Sequence, residues 1–539
     1  MTAQVAESDT AHADADAGMT RRRVAAAAGL IAIGALGSRI LGVIREPATA
    51  YFFGRSASTD SYFIATSLST IVYDLLVSGM VGAALIPVLS RLGEAEDRTE
   101  FWEVVSTLAV AGAALLAAVV ALLVVVAPQL VYMMNSGAGL ATQAETVLLA
   151  RTMMPAMFFM GMSALCTAVL YSLHRYRYGA LSVMCVNAGV IGGLVLLHRF
   201  GIVSAAYGLV VGAILQFGVQ IPGLKEAGAV VRPRLHLRHP EVIKIGVLYA
   251  PVGLSFLITG LIVIVDRNLY SHVGAGALSA SQYATRLVQV PLGLVSTALS
   301  MAILPTLSRY AGLEDLAPFR RVVSSGIKLA ALLMLPAMVG LMVLRTPVLA
   351  LLFQRGQFSG SDTAVTALAF FVYAPQMPFV AIDQVIIFAC YAMHDTKTPV
   401  VVMAITGALY FLVAFSLIAP LGMIALILAN TVQNSAHALL LLWLLHRRIG
   451  GVITPDLGGT LASMLVASGA MAIVCVIIAS SLNAIMGGTG MFGPLLTITL
   501  AGGAGLIAYA GVVWRADITE ARVAWQLIVG RLRPGATRG

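Results

Sequence analysis

The stretch from Ser38 to Asp60, SRILGVIREPATAYFFGRSASTD, holds the residues best suited to chemistry. It begins inside a long apolar segment and carries Arg39, Arg45 and Glu46 at or near membrane depth, with Asp60 at its end. A charge at the centre of a span costs about 2.5–3.5 kcal/mol on insertion scales. Residues kept at that cost belong in a wet cavity, or at the interface as snorkelling anchors. Further along lie Asp266, Arg267 and Arg286, the last five residues before Pro291, where a helix can bend. Three guanidiniums in a dry bundle would be untenable. In a hydrated cleft they form a receptor for phosphate, because the planar fork binds its oxygens bidentately. Arg39 and Arg45 are six residues apart and point about 120° apart on an ideal helix, so one cavity takes both only if it is wide or the helix is distorted near Gly42. Asp60 could orient one of the arginines. The bland alternative pairs Arg39 with Glu46, two turns apart on one face. Asp74 and Asp383 sit within apolar spans without an evident partner, and Arg151 reads as an interface anchor.

Composition says what must position these residues. The chain has 539 residues, of which 59% are hydrophobic and 11% charged, against about 25% charged in soluble domains. This predicts an all-α integral membrane protein of about 14 transmembrane helices, each about 20 residues long, with no room for a sizeable soluble domain. The expected spans are 24–44, 60–90, 103–127, 147–172, 179–198, 203–223, 242–268, 280–308, 324–345, 363–391, 398–419, 421–446, 458–483 and 491–514. Residues 1–20 read as a disordered cytoplasmic tail. Arg21-Arg22-Arg23 and the following AAAAGLIAIGALG resemble a signal peptide, but the apolar run continues to Ile44, which argues against cleavage. The four cysteines fall in apolar segments without metal-ligand spacing and read as small core residues.

Charge fixes the expected orientation. With the N-terminus inside, the predicted cytoplasmic segments hold about 24 of the 33 Lys and Arg, and the outer side keeps about six: Arg45, Arg55, Arg199, Arg267, Arg345 and Arg355. Both termini are therefore expected in the cytoplasm. The basic tail TEARVAWQLIVGRLRPG is expected along the inner leaflet.

An internal repeat accompanies this pattern. ALIPVLSR at 84–91 recurs as AILPTLSR at 302–309, YSLHRYR at 171–177 as YAMHDTK at 391–397, and Gly201 as Gly422, at offsets of 218, 220 and 221. Six spans separate the copies, so the halves run in the same direction and are related by an axis along the membrane normal. The expected organisation is 1–20 tail, 21–223 N-lobe, 224–241 cytoplasmic linker, 242–448 C-lobe, 449–514 two added helices and 515–539 basic amphipathic tail. No nucleophile elbow, Walker A run, H-E-x-x-H or zinc spacing is present, so the reading is a secondary transporter rather than an enzyme. Energy must then come from an ion gradient, the membrane potential or the substrate's own gradient.

At these residues the chain resembles a known family. SRILGVIRE with TDSYFIA, IPVLSRL, YATRLVQVPLGLVSTALSMAILPTLSR, LLFQRGQFS and YAMHDTKTPV are similar, in that order, to motifs of the MurJ (MviN) lipid II flippases of the MOP exporter superfamily. The likeness runs from about Gly37 to Arg448. It implies two six-helix lobes, two added helices forming a lipid-facing groove, and a cationic cavity for the diphosphate and sugar–peptide head group of lipid II, the peptidoglycan precursor. It carries family substrate residues onto Arg39, Arg45, Asp60 and Arg286, with Glu46 where the family usually has aspartate. Lipid II is then the expected partner, with cell-wall synthesis proteins beside it. There are departures: Tyr73 and Asp74 stand for arginines, and Ser78 for a glutamate. The family's sodium site would fall on Asp266 and Asn430, but its remaining ligands align with Tyr410 and Ala414, so weak sodium binding at most is expected and no other cofactor. Another polyprenyl-diphosphate glycan remains open as substrate. A multidrug or organic-cation antiporter would favour carboxylates and aromatics in the cavity, and a non-transporting cell-wall scaffold would not need Arg39 or Arg286.

Overall fold

A bilayer offers no water to backbone amides, so a spanning chain must satisfy them within each segment. Accordingly, every regular element among the described residues is helical. In the computed structural model the described residues are 29–30, 32–75, 85–94, 98–229, 236, 238–312, 316–486 and 492–522. The expected N-terminal tail, residues 523–539 of the basic C-terminal tail, Ser78 and Arg232–Arg234 lie outside them.

Among the described residues, ten helices are long and apolar enough to cross a membrane, or eleven if one bent pair counts as a single span. That pair, Gly360–Tyr373 and Gln376–Ala392, is bent by 43° at Pro375, which cannot donate an amide. Three further helices stand beside these: 32–53, Ala57–Tyr73 and Ala277–Tyr310. They are the helices that carry Arg39, Arg45, Glu46, Asp60 and Arg286. In the first, every 18-residue stretch contains both arginines and the glutamate.

The chain forms two compact units, Met1–Gly276 and Ala277–Gly539. The first holds α1 (32–53), α2 (Ala57–Tyr73), α3 (Ile86–Gly93), α4 (Thr99–Asn135), α5 (Leu140–Ser172), α6 (Tyr176–Leu196), α7 (Val203–Gly218), α8 (Ile221–Glu226) and α9 (Pro240–Val273). Its tightest pair is α6 on α7. Gly189 and Gly193 face Gly208 and Gly212, and a Cβ on any of the four would meet the opposite backbone at 2.4–2.8 Å. Small residues at spacing four let the two backbones approach, the packing that drives helix association where lipid removes the hydrophobic difference.

The second unit holds α10 (Ala277–Tyr310), α11 (Ala317–Val343), α12 (Arg345–Phe353), α13 (Gly360–Tyr373), α14 (Gln376–Ala392), α15 (Lys397–Leu421), α16 (Met423–Ile449), α17 (Pro455–Met486) and α18 (Phe492–Arg515). Helix α10 stays helical through Pro291 and Pro305. The added hairpin α17–α18 packs on α11 through Ala331, Leu335, Met464, Met471 and Cys475, and Tyr509 donates to the Leu332 carbonyl at 3.0 Å. At its base the buried Lys328 holds Asp456 at 2.6 Å and Glu520 at 3.7 Å.

The repeat is geometric as well as sequential. Helix α5 ends with His174 at φ 60°, and α14 ends with His394 at φ 59°. In each, the histidine amide reaches back to a tyrosine carbonyl and the next amide to the residue before it: His174 to Tyr171 and Arg175 to Leu170, His394 to Tyr391 and Asp395 to Cys390. These are paired Schellman caps, here with histidine in the left-handed place that glycine usually takes.

Candidate functional site

The first cluster forms where α1 meets α6. The Arg45 Nη2 lies 2.7 Å from Glu46 Oε1, and its Nη1 donates to Asn187 Oδ1 at 3.1 Å. Asn187 in turn donates to the Ser38 carbonyl at 3.1 Å, and the Ser38 hydroxyl donates to the Val183 carbonyl at 3.1 Å. Glu46 is buried with its side chain 5% exposed, and Arg45 follows at 20%. A carboxylate so placed needs a charged donor, and the adjacent long arginine supplies it. Glu46 pairs with Arg45, and Arg39 lies exposed on the same helix. Asn187 was not singled out from the sequence; an asparagine in the middle of an apolar span was the available signal.

Asp60 sits buried in the first turns of α2. Its Oδ2 accepts the Gly276 amide at 2.6 Å. Gly276 has φ 80°, and a Cβ there would meet Arg55 Nη1 at 2.8 Å. Asp60 thus has a backbone role, holding the turn after α9. On α9 itself Arg267 lies 2.7 Å from Asp266 Oδ2 and donates through Nε to Ser67 of α2 at 3.0 Å. Arg151 donates to the Val124 carbonyl at 3.0 Å from an exposed position.

In the second unit Arg286 is half-buried on α10, with Nη1 on Gln289 Oε1 at 3.0 Å. Asn430 Oδ1 accepts from Asn434 at 3.0 Å, and the positions aligned with sodium ligands, Tyr410 and Ala414, are buried on α15. Asp383 does have a partner, which corrects the sequence reading: His437 Nδ1 lies 2.9 Å from its Oδ1. His437 sits within α16. Towards the end of α14, Cys390, Asp395, Thr398, Arg447 and Arg448 line a cleft of about 290 Å³. The Thr398 amide and hydroxyl, then Arg448, hold the Asp395 carboxyl below the usual carboxylate range. All four cysteines are free thiols.

A sequence model described as lipid II flippase MurJ matches residues 49–498. The probable lipid II flippase MurJ of Haemophilus influenzae is 27% identical over 423 residues, which are 75% of this chain and 82% of that one. The solved structure of lipid II flippase MurJ in an inward closed conformation superposes with a TM-score of 0.76 at 23% identity, covering 90% of this chain and 99% of that one. A multidrug resistance MATE family transporter of the MOP superfamily, solved inward-facing, gives 0.57 at 16% identity over 78% and 94% of the two chains. The family match therefore spans both units, and the chain belongs to the MurJ family of lipid II flippases.

Proposed function

We propose that this protein moves lipid II from the inner to the outer leaflet of the bacterial inner membrane, with Arg39, Arg45 and Arg286 receiving the diphosphate, Asp60 and Glu46 setting their orientation, and the polyprenyl tail left in lipid. The carrying observation is the family match over residues 49–498, which spans both units of the chain. The role is transport, not catalysis. Tyr73 and Asp74 in place of cavity arginines favour, as a second reading, a related polyprenyl-diphosphate glycan. Complementation of a conditional lipid II flippase mutant tests this. Wild type should restore growth, and Arg39→Ala or Arg286→Ala at equal membrane level should not. A hydrogen bond to a charged group contributes about 1.5–3 kcal/mol, so loss of a bidentate contact should cost on the order of 10–100-fold in rate. Lysine should rescue only partly, since it keeps charge without the fork.

The orientation follows the charge count. Gly139→Cys, whose Cβ would meet nothing within 4 Å, should label from outside intact cells, and Arg238→Cys should not. The reverse pattern would refute the topology. The drive is the membrane potential. Asp266 is already engaged by Arg267, Asn430 by Asn434, and Ala414 brings no side-chain oxygen. This donor set does not fit a sodium ion. Each charge moved through the full field is worth about 2.3 kcal/mol per 100 mV. Flipping in proteoliposomes should follow the potential and ignore sodium. A strong sodium-gradient dependence at zero potential, lost in Asp266→Asn, would overturn this.

A further inference from the structure

The seam between α14 and α16 holds chemistry that phosphate recognition does not use. The two helices run parallel, and their polar contacts step along them in register: Asn434 Nδ2 to Gln376 Oε1 at 2.6 Å, His437 Nδ1 to Asp383 Oδ1 at 2.9 Å, and Arg448 to Asp395 at the end of the cleft. On α14, Gln376, Asp383 and Cys390 recur every seven residues, so they share a face. The Gln376 Nε2 is buried with no hydrogen-bond partner. A buried amide donor of this kind calls for water.

The imidazole of His437 is the notable member. Its Nδ1 faces the carboxylate of Asp383, and its Nε2 faces the Pro399 carbonyl at 3.4 Å. Both neighbours accept hydrogen bonds, and a backbone carbonyl can do nothing else. A neutral imidazole has one donor and would point a lone pair at one of them, whereas the imidazolium donates to both. The site is therefore shaped for the protonated ring, with Asp383 as its counter-ion. The side chains are 12% and 16% exposed, so the pair lies mostly inside the protein. An ionisable pair within spans is by default functional. The groups on the elements packed around it are otherwise committed or distant in chemistry. Helix α11 brings Lys328, bound to Asp456 and Glu520. Helix α10 brings Tyr283 and Arg286, α13 brings Tyr373, and α15 brings Tyr410 and the exposed Lys397. Beyond the pair along the seam come Cys390, Asp395 and Arg448, and further along α16 His446 and Arg447.

The repeat supplies an independent argument. Its offsets of 220 and 221 carry Ser163 onto Asp383 and Gln216 onto His437. In the first unit those positions also meet: the Ser163 hydroxyl donates to the Gln216 carbonyl at 3.4 Å, Gln220 donates to Ser163, and Thr167 donates to Gln220 at 3.0 Å. The duplicated place is polar in both halves, yet only the second copy can titrate near neutrality.

We propose that Asp383 and His437 form a proton-binding site, confined to the second half, which the transport cycle loads and unloads so that lipid movement responds to the proton gradient as well as to the potential. Coupling to lipid movement rests on the flippase reading; proton binding does not. The protonation step adds one proton to a ring nitrogen of neutral His437, giving an imidazolium beside the Asp383 carboxylate, and release returns it to water along the seam.

Two measurements on the full-length protein test this. In the first, selectively ¹⁵N-histidine-labelled protein in detergent is titrated from about pH 5 to 9, with His437→Gln used to assign the ring. His437 should titrate within that window, and its midpoint should move down in Asp383→Asn, which removes the counter-ion. A ring that stays in one form throughout, or a midpoint indifferent to Asp383→Asn, would overturn the site. In the second, flipping in proteoliposomes at zero potential is compared between unit pH gradients of opposite sign. The initial rates should differ severalfold, up to about tenfold for one proton per unit, and the ratio should fall to one in the Asp383→Asn, His437→Gln double variant. A wild-type ratio of one would overturn the coupling. A wild type that moves no lipid under any potential would overturn the flippase reading instead, and the ring titration would still decide the proton site.

Discussion

The α5/α7–α8 seam of the first unit and the α14/α16 seam of the second occupy the same place in the repeat and have diverged in kind. The first joins Ser163, Thr167, Gln216 and Gln220, whose charge no physiological pH alters. The second joins Asp383 to His437. Duplication has kept a buried polar position where two helices cross, and divergence has decided whether that position can switch. The α1/α6 cluster differs from both, since Arg45 is a fixed charge answered by Glu46 and Asn187. A fixed cation suits a ligand whose charge never changes, such as a diphosphate.

The contrast can be broken by unpairing one side. His437→Leu leaves the Asp383 carboxylate buried without its counter-ion, which should cost about 3–5 kcal/mol and lower both the melting temperature in detergent and the membrane level. At the equivalent place, Ser163→Ala removes neutral hydrogen bonds and should cost only about 1–3 kcal/mol. Equal losses would mean that the second seam carries no charge. The contrast is sharpened by transplanting the first pair onto the second. Asp383→Ser combined with His437→Gln should be more stable than the sum of the single changes by about 0.5–3 kcal/mol, read as a double-mutant cycle.

A smaller effect is expected at the turns that close α5 and α14. Arg175 and Asp395 are equivalent in the repeat, but only Asp395 caps the following helix, through the Thr398 amide at 3.0 Å and hydroxyl at 2.7 Å. Asp395→Ala should cost about 0.5–2 kcal/mol. Its carboxyl is held low in the folded state, so this stabilisation is fully present above the unfolded value of about 4 and is lost as pH falls through the folded one. Arg175, which pairs with Glu226 at the surface, makes no such cap, and Arg175→Ala should cost only about 0–1 kcal/mol in a melt. Least of all, His174→Gly and His394→Gly should each shift stability by less than about 1 kcal/mol. Relief of the left-handed backbone is offset by the freer unfolded glycine. A shift in opposite directions would show that the two caps are not equivalent.

Much of this was legible in the sequence because bilayer physics writes itself into composition. Apolar runs, basic loops and a repeat at offsets near 220 give the helical class and the duplication, and the motifs from Ser38 to Asp60 and around Arg286 give the family. What stayed hidden depended on which helix meets which. Asp383 looked partnerless because His437 lies 54 residues away on a helix that packs in parallel, and Asn187 is 142 residues from Arg45. Periodicity gives a residue's face, not its neighbour. Glu46 meets its adjacent Arg45 because the long guanidinium stem spans the angle between consecutive positions. The turn after α9 drew on Asp60 for a reason no motif encodes: Gly276 offers a buried amide that needs an acceptor.

The most direct measurement is head-group accessibility of labelled lipid II in proteoliposomes under an imposed potential. Wild type should move lipid II well above protein-free vesicles, and Arg286→Ala, incorporated at the same level, should be slower by on the order of 10–100-fold. Transfer no faster than in protein-free vesicles, or an Arg286→Ala rate equal to wild type, would contradict a flippase that holds the diphosphate with this arginine.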